Sequence, residues 1–155
     1  MQTQLRSLDD DNAELLAFKV AEQDYAVDIM SVREIRSSTH VTSLPHSPSF
    51  VRGVINLRGV VLPILDLARR LGISDETVTT RNVTIVVDSG GRSVGLLVDT
   101  VSDIITIPKD TFQRPPNLSA EHDSGFINAL ALVEGKLLRV LDLSNVVPIP
   151  SEDAA

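Results

Sequence analysis

Two stretches of the sequence align with each other without a gap, and this internal similarity limits the folds open to the chain. The stretch FVRGVINLRGVVLPILDL begins at Phe50, and FINALALVEGKLLRVLDL begins at Phe126. Identical residues occur at the pairs Phe50 and Phe126, Gly59 and Gly135, Leu62 and Leu138, Leu65 and Leu141, Asp66 and Asp142, and Leu67 and Leu143. Upstream, YAVDIMSVREI from Tyr25 lies over VGLLVDTVSDI from Val94. Matched glycines, matched aspartates and a shared order of elements indicate a duplicated unit.

Both halves are rich in Val, Ile and Leu, which occur in short runs separated by Gly, Pro, Asn, Asp and Ser. This pattern is typical of short β-strands. Strands are predicted at roughly 15–21, 25–29, 32–36, 52–57, 60–65, 83–89, 93–98, 101–107, 128–133 and 136–141. Five strands per half that close on themselves would leave few exposed sheet edges. The sequence therefore predicts an all-β protein of two similar five-stranded barrels with a few short helices.

The predicted boundaries of the barrels follow the two halves of the repeat. The first barrel is expected mainly from about 25–72 and the second mainly from about 83–147, and an exchange of terminal segments between them is left open. The flanks 1–12 and 151–155 consist mostly of polar or small residues and are predicted to be disordered tails. One folded domain over about 13–150 results, which is the size expected for a chain of 155 residues.

Short helices are predicted at two corners of the fold. Ser47 and Pro48 suit the start of a helix that Gly53 ends in a left-handed conformation. Asp66 is placed to cap a second helix, which contains LARRLG and ends at Gly72. Both helices are brief, because a glycine stops each of them within about two turns.

Composition excludes several classes of protein. The absence of cysteine rules out disulfides, thiolate zinc sites and a cysteine nucleophile, and it fits a reducing cytosol. A net charge of −7 and an aromatic content of 3% disfavour nucleic acid as a partner. No leader pattern is present at the N-terminus, and no apolar stretch approaches the roughly 18 residues that would span a bilayer. A cytoplasmic protein without membrane insertion is expected.

No residue pattern points to catalysis, a cofactor or a metal. His40, His46 and His122 lack the i,i+4 and His-x-His spacings of metal ligands. Asp66 and Asp142 resemble a pair of catalytic carboxylates, but each follows a strand and opens a helix, so helix capping explains both. GGRSVG lacks the spacing of a dinucleotide fingerprint, and neither a Walker motif nor a GxSxG elbow occurs.

One charged residue interrupts the apolar runs of the first repeat. The segment Asn56–Gly59, NLRG, is predicted to be a hairpin turn in which Gly59 supplies the permissive dihedral. Glu134 and Gly135 occupy the matching turn of the second repeat, where the charge has the opposite sign. Composition alone does not decide whether Arg58 is a solvated loop residue or a functional one.

The stretch PSFVRGVINLRGVVLPILDLARRLG, with YAVDIMSVREI before it and VGLLVDTVSDI and RPPNL after it, resembles CheW, the coupling protein of bacterial chemosensory arrays. The resemblance covers about residues 13–148. It implies a pair of five-stranded SH3-like barrels around a shared core. It also implies a non-enzymatic cytosolic adaptor that is recruited to membrane-associated arrays. Such an adaptor couples the cytoplasmic tips of methyl-accepting chemoreceptors to the histidine kinase CheA, whose own CheW-like regulatory domain it binds.

The resemblance implies site residues position by position. A receptor-binding groove would be formed by Val32, Glu34, Arg58, Val83 and Ile104. A helical receptor hairpin offers an apolar stripe with polar flanks, so aliphatic pockets and a few charges suit such a groove. Glu34 and Arg58 are expected to pair, as one ends a strand and the other tips a hairpin. For the three aliphatic residues, ordinary core packing is the alternative.

Kinase contacts are implied at barrel ends that are related by pseudo-twofold symmetry. The candidates are Arg52, Gly53 and Leu118, the last of which follows RPP. The chain departs from the family pattern at Ala68, where an arginine is common. A charge contact at the start of the helix after LPILD is therefore in doubt, although the fold is not.

Two other functions remain open. The chain is alternatively the CheW-like regulatory module of a CheA or CheV-type signalling protein. Because it begins with Met1 and both ends resemble natural tails, a stand-alone adaptor is preferred. A small β-barrel enzyme is the more remote alternative, which a deep pocket with perturbed carboxylates would favour and a shallow apolar groove would disfavour.

Overall fold

A computed structural model of the chain describes residues 11–37, 40–73, 83–115 and 125–148. Within these residues the chain forms ten strands: β1 (Asn12–Val20), β2 (Gln23–Asp28), β3 (Val32–Ser37), β4 (Val51–Leu57), β5 (Val60–Asp66), β6 (Val83–Ser89), β7 (Arg92–Val98), β8 (Thr100–Pro108), β9 (Ile127–Val133) and β10 (Lys136–Leu141). Each lies at a position where the sequence predicts a strand. The prediction of a mainly β protein is confirmed.

The described α-helices are single turns, α1 (Leu67–Arg70) and α2 (Leu143–Val146), which occupy equivalent places after β5 and β10, and Ile29–Ser31 and Lys109–Thr111 form 3₁₀ turns. Asp66 and Asp142 are their N-cap residues. The Asp142 carboxylate accepts a hydrogen bond from the backbone nitrogen of Ser144 at 3.1 Å, as a capping residue does. Asp66 makes no capping hydrogen bond, so the predicted N-cap position is confirmed for both residues and the side-chain bond for Asp142 alone. No helix of the described residues has the length and apolarity needed to cross a membrane.

The corner helix predicted from Ser47 to Gly53 is also wrong. Residues 49–50 form a turn, and β4 begins at Val51. Gly53 lies at a bulge within this strand with a φ of +147°, and a Cβ atom there would lie 2.1 Å from the carbonyl oxygen of Thr42. The close approach of two backbones therefore requires this glycine, and a helix end does not.

The strands form two five-stranded sheets, each curled into a partly open barrel that keeps the first and last strands of its order as edges. The middle barrel has the order β3-β6-β7-β5-β4, and the terminal barrel has the order β8-β1-β2-β10-β9. Neighbouring strands are antiparallel except β5 with β7 and β10 with β2, which are parallel. Backbone hydrogen bonds of 2.8–2.9 Å between Thr42 and Val54 join the ends of the middle barrel, and bonds of 2.8 Å between Gln113 and Leu130 join those of the terminal barrel.

Each strand of the first repeat, β1 to β5, has its counterpart five strands later, in β6 to β10. When every strand is exchanged for its counterpart, one strand order becomes the other, so the duplication extends to the topology. Each barrel combines the first hairpin of one repeat with the last three strands of the other. The middle barrel contains the strands from Val32 to Val98, and the terminal barrel contains those of 12–28 and 100–141. The bounds differ from those expected at 25–72 and 83–147, because the two hairpins are exchanged reciprocally, an exchange that the sequence left open.

Buried apolar side chains of the described residues form three clusters. One fills the middle barrel and consists of Ile55, Leu62, Ile64, Val86 and Leu97. A second fills the terminal barrel and consists of Leu15, Ala26, Ile107, Ala131, Leu138 and Val140. The third, called here the shared core, takes side chains from both barrels, among them Leu16, Phe18, Val27, Leu65, Ile85, Leu96 and Leu141. Burial of this third cluster joins the barrels into one body.

The hairpins of the described residues all use two-residue turns with positive φ at both positions, the type I′ geometry that suits the twist of paired strands. The turns are Ala21-Glu22 (φ 53° and 66°), Arg58-Gly59 (51° and 85°), Gly90-Gly91 (62° and 80°) and Glu134-Gly135 (50° and 78°). The predicted turns at NLRG and EG are therefore confirmed as equivalent. Arg58 therefore lies at the tip of the β4–β5 hairpin, and Glu134 lies at the tip of the β9–β10 hairpin.

Candidate functional site

The structure brings Glu34 and Arg58 together at the mouth of the middle barrel. The Nη2 atom of Arg58 donates to Oε2 of Glu34, and Arg36 Nη1 donates to Oε1 of the same carboxylate at 3.2 Å. The hydrogen bond from Arg58 is the main cause that lowers the pKa of Glu34. The Arg58 side chain is 69% exposed and that of Glu34 is 25% exposed, so the pair is open to a partner.

The hairpin fixes the position of Arg58. A non-glycine residue at a φ of 51° is unfavourable, and the turn compensates for it with the glycine that follows and with the paired strands on either side. The Asn56 side chain stabilises the turn further, because its Oδ1 accepts a hydrogen bond from the Gly59 backbone nitrogen at 2.9 Å. The arginine is thus displayed by a rigid turn.

Val32 and Val83 are half-buried and both pack against the shared core. A bulge at Arg33 shifts the register, so that Val32 pairs with Val87 of the shared core while Glu34 pairs with Val86 of the middle-barrel interior. Val83 pairs with Ser37, the last residue of β3. Each of these two valines thus contributes to the packing of the shared core and remains partly exposed at the surface.

Ile104 lies on the terminal barrel, whereas the other four predicted groove residues lie on the middle barrel. It is 55% exposed on β8, an edge strand of its sheet. Ile35 is its repeat equivalent on the edge strand β3 and is 46% exposed. Sequence reasoning did not select Ile35, although the alignment of VREI with VSDI pairs the two isoleucines. Together they give each barrel an exposed aliphatic side chain on an edge.

Further apolar side chains are exposed beside the hairpin tips. Val60 and Val61 begin β5 directly after the Arg58 turn, and Leu132 and Leu137 flank the Glu134 turn. This exposure is not evident from the sequence, since both pairs lie within apolar runs that also supply core residues. Leu132 and Leu137 are cross-strand neighbours, and exposed apolar side chains that lie together favour a surface that binds another protein.

The predicted kinase residues lie elsewhere on the middle barrel. Arg52 is the extra residue of the β4 bulge, and its Nε atom lies 3.8 Å from Oδ2 of the fully buried Asp66 carboxylate. The adjacent Gly53 is buried and offers only backbone to a partner. Leu118 lies outside the described residues. The side chain of Arg52 is therefore directed at least partly into the fold.

An open cleft of about 790 Å³ lies on the terminal barrel, between residues such as Leu15, Met30, Phe112 and Val140. The carboxylates whose pKa is clearly shifted within the described residues are Glu34 and Asp88, and neither lines this cleft. The pKa of Asp88 is lowered chiefly by a hydrogen bond from a serine hydroxyl and then by an arginine. Both shifts stabilise the charged form of the carboxylate through hydrogen bonds, whereas a general acid needs a raised pKa.

The part of the chain that the structure describes contains no group of three or more His, Cys, Asp or Glu side chains that could hold a metal ion. His40 and His46 lie in the segment between β3 and β4, and His122 lies outside the described residues. The arrangement of the site is therefore one of an ion pair and exposed aliphatic side chains, which suits binding of a protein surface.

Comparison with known proteins gives a consistent result. The CheW-like domain family matches residues 14–149. The chain is 41% identical over 155 residues to the chemotaxis protein CheW of Rhizobium meliloti (strain 1021), with all of both chains covered. It is 28% identical to the chemotaxis protein CheW of Bacillus subtilis (strain 168), covering 91% of this chain and 90% of that one. The crystal structure of the scaffolding protein TtCheW from Thermoanaerobacter tengcongensis matches with a TM-score of 0.81 at 29% identity, covering 90% of this chain and 95% of that one.

Proposed function

The chain belongs to the family of CheW-like domains, and from this premise we propose that it couples methyl-accepting chemoreceptors to a CheA-type histidine kinase. Its role is that of a chemotaxis coupling adaptor. The receptor tip and the CheW-like regulatory domain of the kinase are the two partners in this proposal. The adaptor works without catalysis, in the cytoplasm, and is recruited to receptor arrays at the membrane.

The observation that carries the proposal is the Glu34–Arg58 pair beside exposed aliphatic side chains. The pair is held by a rigid hairpin and a strand, and Val60, Val61 and Ile35 are exposed near it in the chain. A helical hairpin with an apolar stripe and polar flanks needs such a combination, because aliphatic contacts supply affinity and the charges set the register. The receptor-contacting residues proposed are Val32, Glu34, Arg58, Val83 and Ile104.

A second partner needs a separate surface, and β4 is long enough to hold two binding sites apart at its two ends. The proposed kinase residues Arg52 and Gly53 lie near the start of this strand, whereas Arg58 follows its end. At about 3.3 Å per residue, an extended strand separates Arg52 from Arg58 by about 20 Å. Leu118 completes the proposed kinase contact. Receptor and kinase are therefore expected to bind at the same time.

Simultaneous binding is the test of an adaptor. The purified chain is mixed with the kinase's CheW-like regulatory domain, with a soluble receptor-tip hairpin, and with both, and complex mass is measured by light scattering after gel filtration. We expect both binary complexes and a ternary complex. Mutual exclusion of the two partners would contradict the coupling role, and failure to bind either one would remove the proposal altogether.

A further inference from the structure

Arg70 lies between two aromatic rings that belong to different barrels. Its Cζ atom is 4.5 Å from the ring centroid of Phe50 and 5.0 Å from that of Phe126. Phe50 precedes β4 of the middle barrel, and Phe126 precedes β9 of the terminal barrel. The two phenylalanines are repeat equivalents, so a guanidinium at nearly equal distance from both lies close to the axis that relates the barrels. Each ring offers a face that attracts a cation.

The same guanidinium reaches across to the end of the second helix. Its Nε atom donates to the carbonyl oxygen of Val146 at 2.7 Å, and Nη2 donates to that of Asn145 at 3.0 Å. Arg70 itself ends α1, which follows the middle barrel, while α2 follows the terminal barrel. One side chain therefore contacts an aromatic ring in each barrel and supplies hydrogen bonds to carbonyls at a helix end.

This contact is asymmetric within an otherwise symmetric pair. The repeat places Val146 at the position equivalent to Arg70, so among the described residues no second arginine makes the reciprocal contact. Burial lowers the pKa of Arg70, but a guanidinium stays protonated at physiological pH. Its planar fork can stack between the rings while it donates to two acceptors, whereas a lysine ammonium has no plane with which to stack.

The contacts of Arg70 connect to the proposed receptor groove through the shared core. Phe50 and Phe126 pack against that core, as do Val32 and Val83. The groove itself draws on both barrels, with Glu34 and Arg58 on one and Ile104 on the other. The angle between the barrels consequently sets how far the groove's two sides are apart.

We propose that Arg70 is a positioning residue, which holds the two barrels at the angle at which the groove accepts a helical receptor hairpin. The inference rests on the proposed function for its receptor readout, but the barrel angle is measurable without any partner. Contacts of the kinase with Arg52 and Gly53 involve one barrel only, so a change of angle is expected to leave them intact.

The absence of cysteine makes the angle accessible to spin labels. Cysteines introduced as Ser37→Cys and Ser102→Cys place labels at exposed positions on β3 and β8, one on each barrel. The distance distribution between the labels is measured by pulsed electron paramagnetic resonance for the parent, Arg70→Leu and Arg70→Lys. Arg139→Leu is the matched control, because Arg139 stacks at 5.5 Å on Tyr25 within the terminal barrel alone.

Both Arg70 variants are expected to broaden or shift the label distance, and Arg139→Leu is expected to leave it unchanged. Without the labels, the same Arg70 variants should bind the receptor hairpin about five- to tenfold more weakly, while kinase-domain affinity stays within about twofold. This loss lies inside the roughly 2- to 30-fold range of coupling effects from residues that do not touch a ligand. An unchanged label distance in Arg70→Leu would overturn the inference. So would equal losses of receptor and kinase affinity that track the thermal melt.

A parent protein that binds no receptor hairpin would instead overturn the proposed function, and the label distances would still decide the role of Arg70.

Discussion

The β4–β5 and β9–β10 hairpins share a backbone and differ in charge. Both have a type I′ turn, a bulge near the start of the first strand and the same place in their barrel. Arg58 at one tip pairs with Glu34, whereas Glu134 at the other makes no ion pair within the described residues. The repeat equivalent of Glu34 is Asp103, so the second barrel combines two acidic residues where the first combines an acid and a base. The two hairpins therefore share their backbone geometry, and the charged pair is present at the tip of one of them.

The barrel interiors differ in the same way. Ile55 of the middle barrel corresponds to Ala131 of the terminal barrel, and Ile64 corresponds to Val140. Leu62 and Leu138, by contrast, are both leucine and both buried. The terminal barrel thus has the same strand order as the middle barrel although these interior side chains are smaller. Both barrels keep the same strand pairing and the same alternation of inward-facing and outward-facing side chains.

The largest expected effect comes from removing the leucine that the interiors share. Leu62→Ala and Leu138→Ala should each lower the free energy of unfolding by about 2–5 kcal/mol, since each leaves a cavity in a packed barrel. Leu62→Ala is expected to cost more, because its neighbours Ile55 and Ile64 make the larger contacts. Denaturant melts measure both. A cost below about 1 kcal/mol at either position would show that its barrel repacks around the loss.

The repeat alignment explains why so much of the fold was predictable. Short Val, Ile and Leu runs with turn glycines identified all the described strands, because alternation and turn chemistry are local properties. The exchange of hairpins was not predictable from these runs, as it depends on the parallel pairing of β5 with β7 and of β10 with β2. Such pairing brings together segments far apart in sequence, for which no local signal exists.

The candidate site was less accessible than the fold. Residue types and spacing indicated a charged turn at Arg58, but its partner Glu34 and the groove came from the family resemblance. Ile35 and Val61 were missed because exposure at a sheet edge or hairpin tip depends on what packs nearby. Asp66 was assigned to a cap, although its carboxylate is buried near Arg52. Burial of a charge is a tertiary property that the sequence pattern does not reveal.

The charge difference between the tips predicts a difference in binding. If the proposed receptor interface forms, Arg58→Ala should weaken receptor-hairpin binding by roughly tenfold or more, because a charge is lost from the edge of a partly desolvated surface. Glu134→Ala is the matched control at the equivalent turn position and should leave that affinity unchanged. Titration calorimetry with the receptor hairpin measures both, and thermal melts check that each variant folds. Equal affinities for Arg58→Ala and the parent would mean that Arg58 is a solvated turn residue.

The turns of the first hairpin in each repeat predict opposite effects on stability. Glu22 and Gly91 are equivalent residues with φ of 66° and 80°. Glu22→Gly should stabilise the fold by about 0.5–1 kcal/mol by relieving a left-handed non-glycine residue. Gly91→Ala should destabilise it by about 1 kcal/mol, and since nothing lies within 4 Å of the added Cβ atom the cost is purely conformational. Chemical denaturation distinguishes the two signs, and equal signs would contradict the equivalence of the turns.

The smallest expected effect is on the titration of Glu34. Its pKa in the folded chain lies below the ordinary value of 4.5, chiefly because Arg58 donates to the carboxylate. A depressed folded pKa means that ionised Glu34 favours the folded state fully above about pH 4.5, and that this contribution is lost as the pH falls through the lower folded value. Arg58→Ala removes the main cause, while Arg36 still donates at 3.2 Å. Side-chain carboxyl resonances followed by NMR should therefore show the Glu34 pKa rising part of the way towards 4.5 in Arg58→Ala, and staying at its parent value in Glu134→Ala. An unmoved Glu34 pKa in Arg58→Ala would mean that the two side chains do not pair in solution, and the contrast between the hairpin tips would then rest on sequence alone.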